Sequence, residues 1–518
     1  MGRPELSRGN CDDLLELDGV AGGVTEERLP ARPDRDRVRH LHAAGAQLGN
    51  RRVEVGHADG EVLPERVGHG LVDEVDLLGS RVEPGSVEGK VRPVAAHVET
   101  EDVAVEGHGL AYVANIDRNM VETEQPHCRI MPQCGRTVPV CFDRERARDG
   151  TEGTAVSMAS FAVVGSGWRS EFFVRVAEAL PELFACVGVV TRDAGRGREI
   201  ERKWHTNAYG SLDELSAVVR PDFVVVSVPP RAAVGYLRRC AAAGLPALCE
   251  TPPAHDLDGL LEVTALARSG ARLQVAEQYP FQPHHAARIA LTDAGTIGEV
   301  SMASVSFSHG YHAFAVMRRH LGVAGEPARI RASVVRAAVE TWGTRAGPRT
   351  ATGTTEETRT VALVEVGGRL GLYDFGENQH RSYVRLQRVD IRGSRGEIAE
   401  DQVRLVRGLD ESVTIQLRRE VGGQEGDLTG HYLKGISGPD GWIWRNPFPG
   451  ARLADDEIAV AQLMVAMSSY AAGGPAFYGV ADAAQDHYLY LALQEAAATG
   501  EAVVTTTQPW AQDMVRHG

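Results

Sequence analysis

The segment Gly165-Ser166-Gly167-Trp168-Arg169-Ser170 has the residue types and spacing of an anion cradle. Its first glycine permits a tight turn after a strand. Its second lets the backbone approach a pyrophosphate at a helix N-terminus, where unpaired N–H groups face the anion. Ser170 stands where a third glycine is usual; it is small enough for helix–strand packing and able to cap the helix. Gly165, Ser166, Gly167, Trp168 and Arg169 are therefore read as cofactor-binding. A second signal is Thr191-Arg192-Asp193, at the end of the next strand. An acid there binds the ribose 2′-hydroxyl of NAD, whereas an arginine suits the 2′-phosphate of NADP. Thr191 and Arg192, with Arg196 and Arg198 close by, favour NADP, and Asp193 keeps NAD open. Ser227-Val-Pro-Pro230 and Glu250-Thr-Pro-Pro-Ala254 close two more strands, at the carboxyl ends where open α/β sheets bind ligands. Ser227, Pro229 and Glu250 are placed with the cofactor, although each turn also reads as a plain rigid proline turn.

These motifs need a scaffold, and the flanking residues describe one. Residues 160–164, 186–190, 222–228, 246–250 and 272–278 are short apolar runs, as expected of strands covered on both faces. Between them lie helical patterns: Phe172, Phe173, Val176, Leu180 and Leu183 on one stripe, a capping box at Ser211–Glu214, and helices over 232–243 and 256–269. Strands alternating with helices predict an α/β fold, a doubly wound parallel sheet of the Rossmann type over 158–281. The pattern then changes. Residues 300–307, 329–335, 359–366, 369–375 and 383–392 read as strands, Gly367-Gly368 as a two-residue hairpin, and 454–471 and 482–498 as helices. This predicts an α+β domain over 282–518, built on an open, mostly antiparallel sheet. The run HYLKGISGPDGWIWRNPF reads as an aromatic, glycine-rich loop, either reaching the site with His431 or Lys434 or forming an interface.

The order of GxGxx, Ser-Val-Pro-Pro, Cys-Glu-Thr-Pro-Pro-Ala, Ala-Glu-Gln-Tyr and Gly-Thr-Ile-Gly-Glu-Val resembles the Gfo/Idh/MocA oxidoreductases over about 158–518. The resemblance implies an NAD(P)-dependent oxidoreductase. Hydride would pass between nicotinamide and a sugar, cyclitol or related polyol bound against the second sheet. It implies cofactor- and substrate-facing positions for Glu277 and Tyr279. Two departures stand out. The family has Glu-Lys-Pro where this chain has Glu250-Thr251-Pro252, and Asp-x-Gly-x-His where it has Ser308-His-Gly-Tyr-His312; a further family aspartate is Ala315. His312 is left as the candidate for proton transfer, since imidazole titrates near neutral pH. Tyr311 and His309 are neighbours able to share the role, and Thr251 at most hydrogen-bonds the substrate oxygen. The opposing reading is a non-catalytic dinucleotide-binding sensor that lost the lysine. A third is a branch with transient hydride transfer in elimination or glycoside cleavage.

Composition bounds the partners. The net charge of −15 argues against nonspecific binding to nucleic acid or an anionic membrane. No run of 18 uncharged apolar residues is present, and the seven cysteines form no CxxC pair, which fits a reducing cytoplasm and no structural metal. Cys128, Cys134 and Cys141, with His127, have spacings unlike common zinc sites. Only three of the 55 basic residues are lysines: Lys90, Lys203 and Lys434. The first 157 residues hold two aromatic side chains, the remaining 361 hold 28. So poor a supply of large apolar groups does not offset backbone entropy. Residues 1–157 are expected to be a disordered or spurious extension, with Met158 as the true start, or else a small unusual domain. An open second sheet leaves an apolar face in a monomer, so a homodimer or homotetramer through that sheet is expected.

Overall fold

The computed structural model describes residues 158–344, 347–351 and 353–514. The readings made for residues 1–157, including the Cys128–Cys141 cluster, lie outside them. The chain opens with β1 (Ala159–Val164), α1 (Trp168–Ala179), β2 (Phe184–Val190), α2 (Ala194–Trp204), β3 (Ala208–Tyr209), α3 (Leu212–Val218), β4 (Phe223–Val226), α4 (Pro230–Ala242), β5 (Ala247–Cys249), α5 (Leu257–Arg268) and β6 (Leu273–Val275). The six strands pair in parallel in the order β3-β2-β1-β4-β5-β6. The order reverses between β1 and β4. Such a reversal is where open α/β sheets bind ligands, and the Gly165 and Ser227 turns meet there.

Alternation along β1 explains the two covered faces. Phe161 and Val163 point to one side, Ala162 and Val164 to the other, and all four are buried. The first pair packs against Phe173 and Val176 of α1, the second against Leu237 of α4 and Leu260 of α5.

After α6 (Pro283–Asp293) the second sheet begins with β7 (Val300–Ser306). Then come α7 (Gly310–Leu321), β8 (Ala328–Glu340), a small hairpin of β9 (Gly343–Thr344) and β10 (Gly347–Pro348), β11 (Thr354–Val366) and β12 (Arg369–Gly376). It continues with β13 (Arg388–Gly393), β14 (Gly396–Ala399), β15 (Gln402–Val406) and β16 (Ser412–Gln416). A separate three-stranded sheet holds β17 (Arg418–Gly422), β18 (Tyr432–Gly438) and β19 (Gly441–Arg445); α8 (Asp455–Ala471), α9 (Val480–Thr499) and β20 (Val503–Val504) follow. The large sheet has nine strands in the order β16-β15-β14-β13-β7-β12-β11-β8-β20, antiparallel except for β7 beside β12. Phe314 and Met317 of α7 and Leu489 and Leu493 of α9 cover one face.

Helix α8 does not stay with the second sheet. Its Leu463, Met464 and Met467 pack on Phe161, Val163 and Val225 of the first. Two local expectations are corrected. Residues 383–387 are not strand: Tyr383, Val384 and Leu386 are all exposed, so their alternation with polar residues reflects no buried face. The HYLKGISGPDGWIWRNPF run is the β18–β19 hairpin rather than a loop, and His431 and Lys434 are exposed on it. No helix among the described residues is long and apolar enough to cross a membrane.

Candidate active site

The glycine turn after β1 is built for close approach. Gly165 has φ +121°, and a Cβ there would lie 1.9 Å from the Ser227 carbonyl oxygen. Only glycine satisfies both constraints. Ser170 donates from Oγ to that same carbonyl at 3.3 Å, so it holds the helix–strand contact in place of a third glycine. Gly167 behaves differently: a Cβ there would meet nothing within 4 Å. It is the N-cap of α1 and offers no side-chain cap, so the first-turn N–H groups face open space. The turn therefore fits a dinucleotide pyrophosphate. Trp168 lies half-exposed beside it, edge-on to Phe172.

The end of β2 is tied to this turn. Ser166 Oγ and Thr191 Oγ1 lie 2.9 Å apart. Asp193 caps α2, accepting from the Gly195 and Arg196 N–H groups at 2.8 and 3.1 Å, and these bonds hold its carboxyl below the usual range. Arg196 donates to the Ser166 carbonyl at 3.0 Å and pairs with Glu171 and Glu199. Arg192, just past the end of β2, and Arg198, on α2, remain exposed. Pro229 is the N-cap of α4, close to Ser227.

The reacting end is formed where β6, the turn after β5 and the start of α7 converge. Glu277 Oε2 and His312 Nδ1 are 2.7 Å apart, and the two residues are 2% and 6% exposed. Glu277 Oε1 also accepts from the Tyr279 N–H at 3.1 Å. Burial pushes the Glu277 carboxyl up to about 8. Burial, with the nearby Arg169 charge, pushes the His312 imidazole down to about 3. Both shifts express one fact: desolvation favours a pair with no net charge. Gly310 positions His312. It has φ +53°, donates its N–H to the Tyr373 hydroxyl at 3.1 Å, and would bring a Cβ to 3.0 Å from the Tyr490 ring. Tyr311 donates to the Thr251 carbonyl at 3.3 Å, and its ring centre lies 4.4 Å from that of His312. The exposed His309 stands 5.1 Å from His312 by the same measure.

Thr251, Glu277 and Tyr311 share a small cavity with Tyr478 and Asp486. Asp486 is held by the Tyr478 hydroxyl and by Arg318 Nη1 at 2.6 Å, and burial pushes its carboxyl up to about 7. The sequence reading missed this acid, because α9 has no one-sided apolar stripe and lies far along the chain. It placed Arg169 and Glu250 both with the cofactor but did not pair them. Their side chains are paired, Nε to Oε1 at 2.7 Å, and Arg169 Nη1 reaches Asp456 at 3.2 Å. Asp456 belongs to the acidic first turn Asp455-Asp456-Glu457 of α8, which from sequence reads only as a helix start.

Comparison with known proteins agrees with this geometry. Residues 159–277 match the family model described as an oxidoreductase family with an NAD-binding Rossmann fold, Gfo/Idh/MocA. An uncharacterized oxidoreductase, ORF334 of Rhizobium meliloti, is 26% identical over 152 residues, which are 28% of this chain and 44% of that protein. The match thus spans less than half of the relative's length. Among solved structures, a levoglucosan dehydrogenase in complex with NADH is 15% identical, with a TM-score of 0.51 over 68% of this chain and all of that one. An NAD-binding oxidoreductase from Klebsiella pneumoniae is 14% identical, with a TM-score of 0.50 over the same shares. These two share the fold. With its glycine turn, strand order and matched segment taken together, the chain carries the NAD-binding Rossmann domain of the Gfo/Idh/MocA oxidoreductase family.

Proposed function

We propose that this protein is an NAD(P)-dependent oxidoreductase acting on a sugar, cyclitol or related polyol. The observation that carries the reading is the buried Glu277–His312 pair beside Thr251, at the carboxyl end of the first sheet. When bound, the nicotinamide supplies the hydride acceptor or donor. The protein's task is to bind, orient and move one proton. The first-turn N–H groups of α1 hold the pyrophosphate. In oxidation, the substrate hydroxyl gives its proton to His312 Nε2, and Nδ1–H passes a proton to the Glu277 carboxylate. Reduction runs the same path in reverse. The accepting state is a Glu277 carboxylate hydrogen-bonded to a neutral His312, and the pair takes up its proton near pH 8, within reach of ordinary working pH. Tyr311, tied to the Thr251 carbonyl, shapes the wall of this path.

Arg192, exposed just past the end of β2, and Arg198, exposed on α2, support a preference for NADP, with NAD also accepted. Val335, Val361 and Leu363 lie exposed on the helix-free face of the large sheet, and pairing through that face into a dimer or tetramer accounts for them. The test is to titrate the full-length protein with NADH and NADPH, then supply NAD(P) with a polyol and sugar panel. Saturable binding with turnover upholds the reading. Binding with no turnover across the panel favours the sensor, and no binding by folded protein overturns both.

A further inference from the structure

Arg169 has a donor that no described residue uses. It stands in the first turn of α1, and its largely buried side chain pairs with Glu250 after β5 and with Asp456 of α8. Nε is taken by Glu250 and Nη1 by Asp456, and Gln282 holds the other oxygen of Asp456 at 2.9 Å. Nη2 is fully buried with no acceptor among the described residues. Since the guanidinium is planar, the two carboxylates also fix the direction of Nη2. The group stands close enough to Glu277, Tyr279 and His312 for its charge to act on all three. A buried N–H without an acceptor is costly, and a ligand oxygen at the reacting end removes that cost.

We propose that Arg169 is a substrate-binding residue whose Nη2 donates to an uncharged hydroxyl or carbonyl oxygen of the substrate. The proposal rests on the oxidoreductase reading and adds the substrate's charge class. Two carboxylates, Glu250 and Asp456, already outnumber the guanidinium. An arriving carboxylate would meet both, whereas a neutral polyol oxygen meets only the unused donor. The site therefore selects neutral sugars and cyclitols against their acids.

The test uses the full-length protein saturated with NADH, with glucose, myo-inositol and glucuronate as probes in isothermal titration. Wild type is expected to bind at least one neutral probe, and glucuronate at least tenfold more weakly than glucose. Arg169→Met should raise the Kd of the neutral probe at least tenfold while changing the Kd for NADH less than threefold. Arg169→Lys keeps a charge beside Glu250 but loses the fork, and should show the same split; it serves if the methionine variant does not fold. Preferential binding of glucuronate, unchanged polyol binding in both variants, or no polyol binding to NADH-loaded wild type overturns the assignment of Arg169 alone. A matching loss of NADH affinity reassigns Arg169 to the cofactor. Wild type that binds no NADH overturns the oxidoreductase reading, and this assignment with it.

Discussion

Glu277→Gln and His312→Gln should separate the two limbs of a pH–stability profile, because the buried pair titrates as a unit. The unfolded chain releases the Glu277 proton near 4.5 and the His312 proton near 6.5, whereas the folded pair titrates at about 3 and about 8. Between pH 3 and 4.5 the unfolded chain holds one proton more than the folded pair, so stability rises with pH. From 4.5 to 6.5 the two states hold the same number and the contribution is flat. From 6.5 to 8 the folded pair holds one proton more, so stability falls as pH rises. Each limb spans about 1.5 pH units, and at about 1.4 kcal/mol per unit it amounts to roughly 2 kcal/mol. The Glu277→Gln variant should keep the acid limb, extended to 6.5, and lose the fall between 6.5 and 8. The His312→Gln variant should lose the rise and fall steadily from 4.5. Urea unfolding followed by tryptophan fluorescence at half-unit pH steps measures all three curves. If wild type and Glu277→Gln run parallel between pH 6.5 and 8, the two groups do not share a proton in a desolvated site and the proton path proposed above fails.

The two turn glycines should be separable. Gly165→Ala forces a Cβ into the Ser227 carbonyl at positive φ and should cost about 2–5 kcal/mol in thermal unfolding, whereas Gly167→Ala, with open space around it, should keep the melting temperature and weaken NADH binding. Arg192→Ala should raise the Kd for NADPH about tenfold, roughly 1.4 kcal/mol, and leave that for NADH unchanged in fluorescence titration. Arg318→Met strands the buried Asp486 beside Tyr478 and should destabilise by about 3–5 kcal/mol in urea unfolding, with Asp486→Asn milder.

The parallel sheet was legible because its strands are continuous apolar runs separated by capped helices, a pattern that depends on local residues alone. The two-residue β3 carries no such run and escaped notice. The glycine turn was legible in kind, but its division of labour was not: Gly165 packs on Ser227, and Gly167 faces the open seat. Glu277 and His312 were both singled out, for separate tasks. Their hydrogen bond joins positions 35 residues apart, and no local period encodes such a meeting. Asp456 and Asp486 were invisible for the same reason. A carboxylate in a helix first turn looks like dipole chemistry, and one in a largely apolar helix looks like a solvent-facing exception, until the partner strand is known. Tyr383–Leu386 misled because exposed apolar residues happen to alternate with polar ones.

The return of α8 to the first sheet has a consequence for biosynthesis. Some 180 residues separate the end of β6 from the start of α8, so at roughly 5–20 residues per second the nascent sheet waits roughly 10 to 35 s for one of its walls. During that interval Phe161, Val163 and Val225 face water or a chaperone on the side that Leu463, Met464 and Met467 later cover. A ribosome stalled between β6 and α8 would display a sticky, protease-sensitive intermediate, and release of the rest of the chain would quench it. The two sheets are thus locked in order of manufacture: the dinucleotide domain, translated ahead of the second sheet, is among the last parts to be finished.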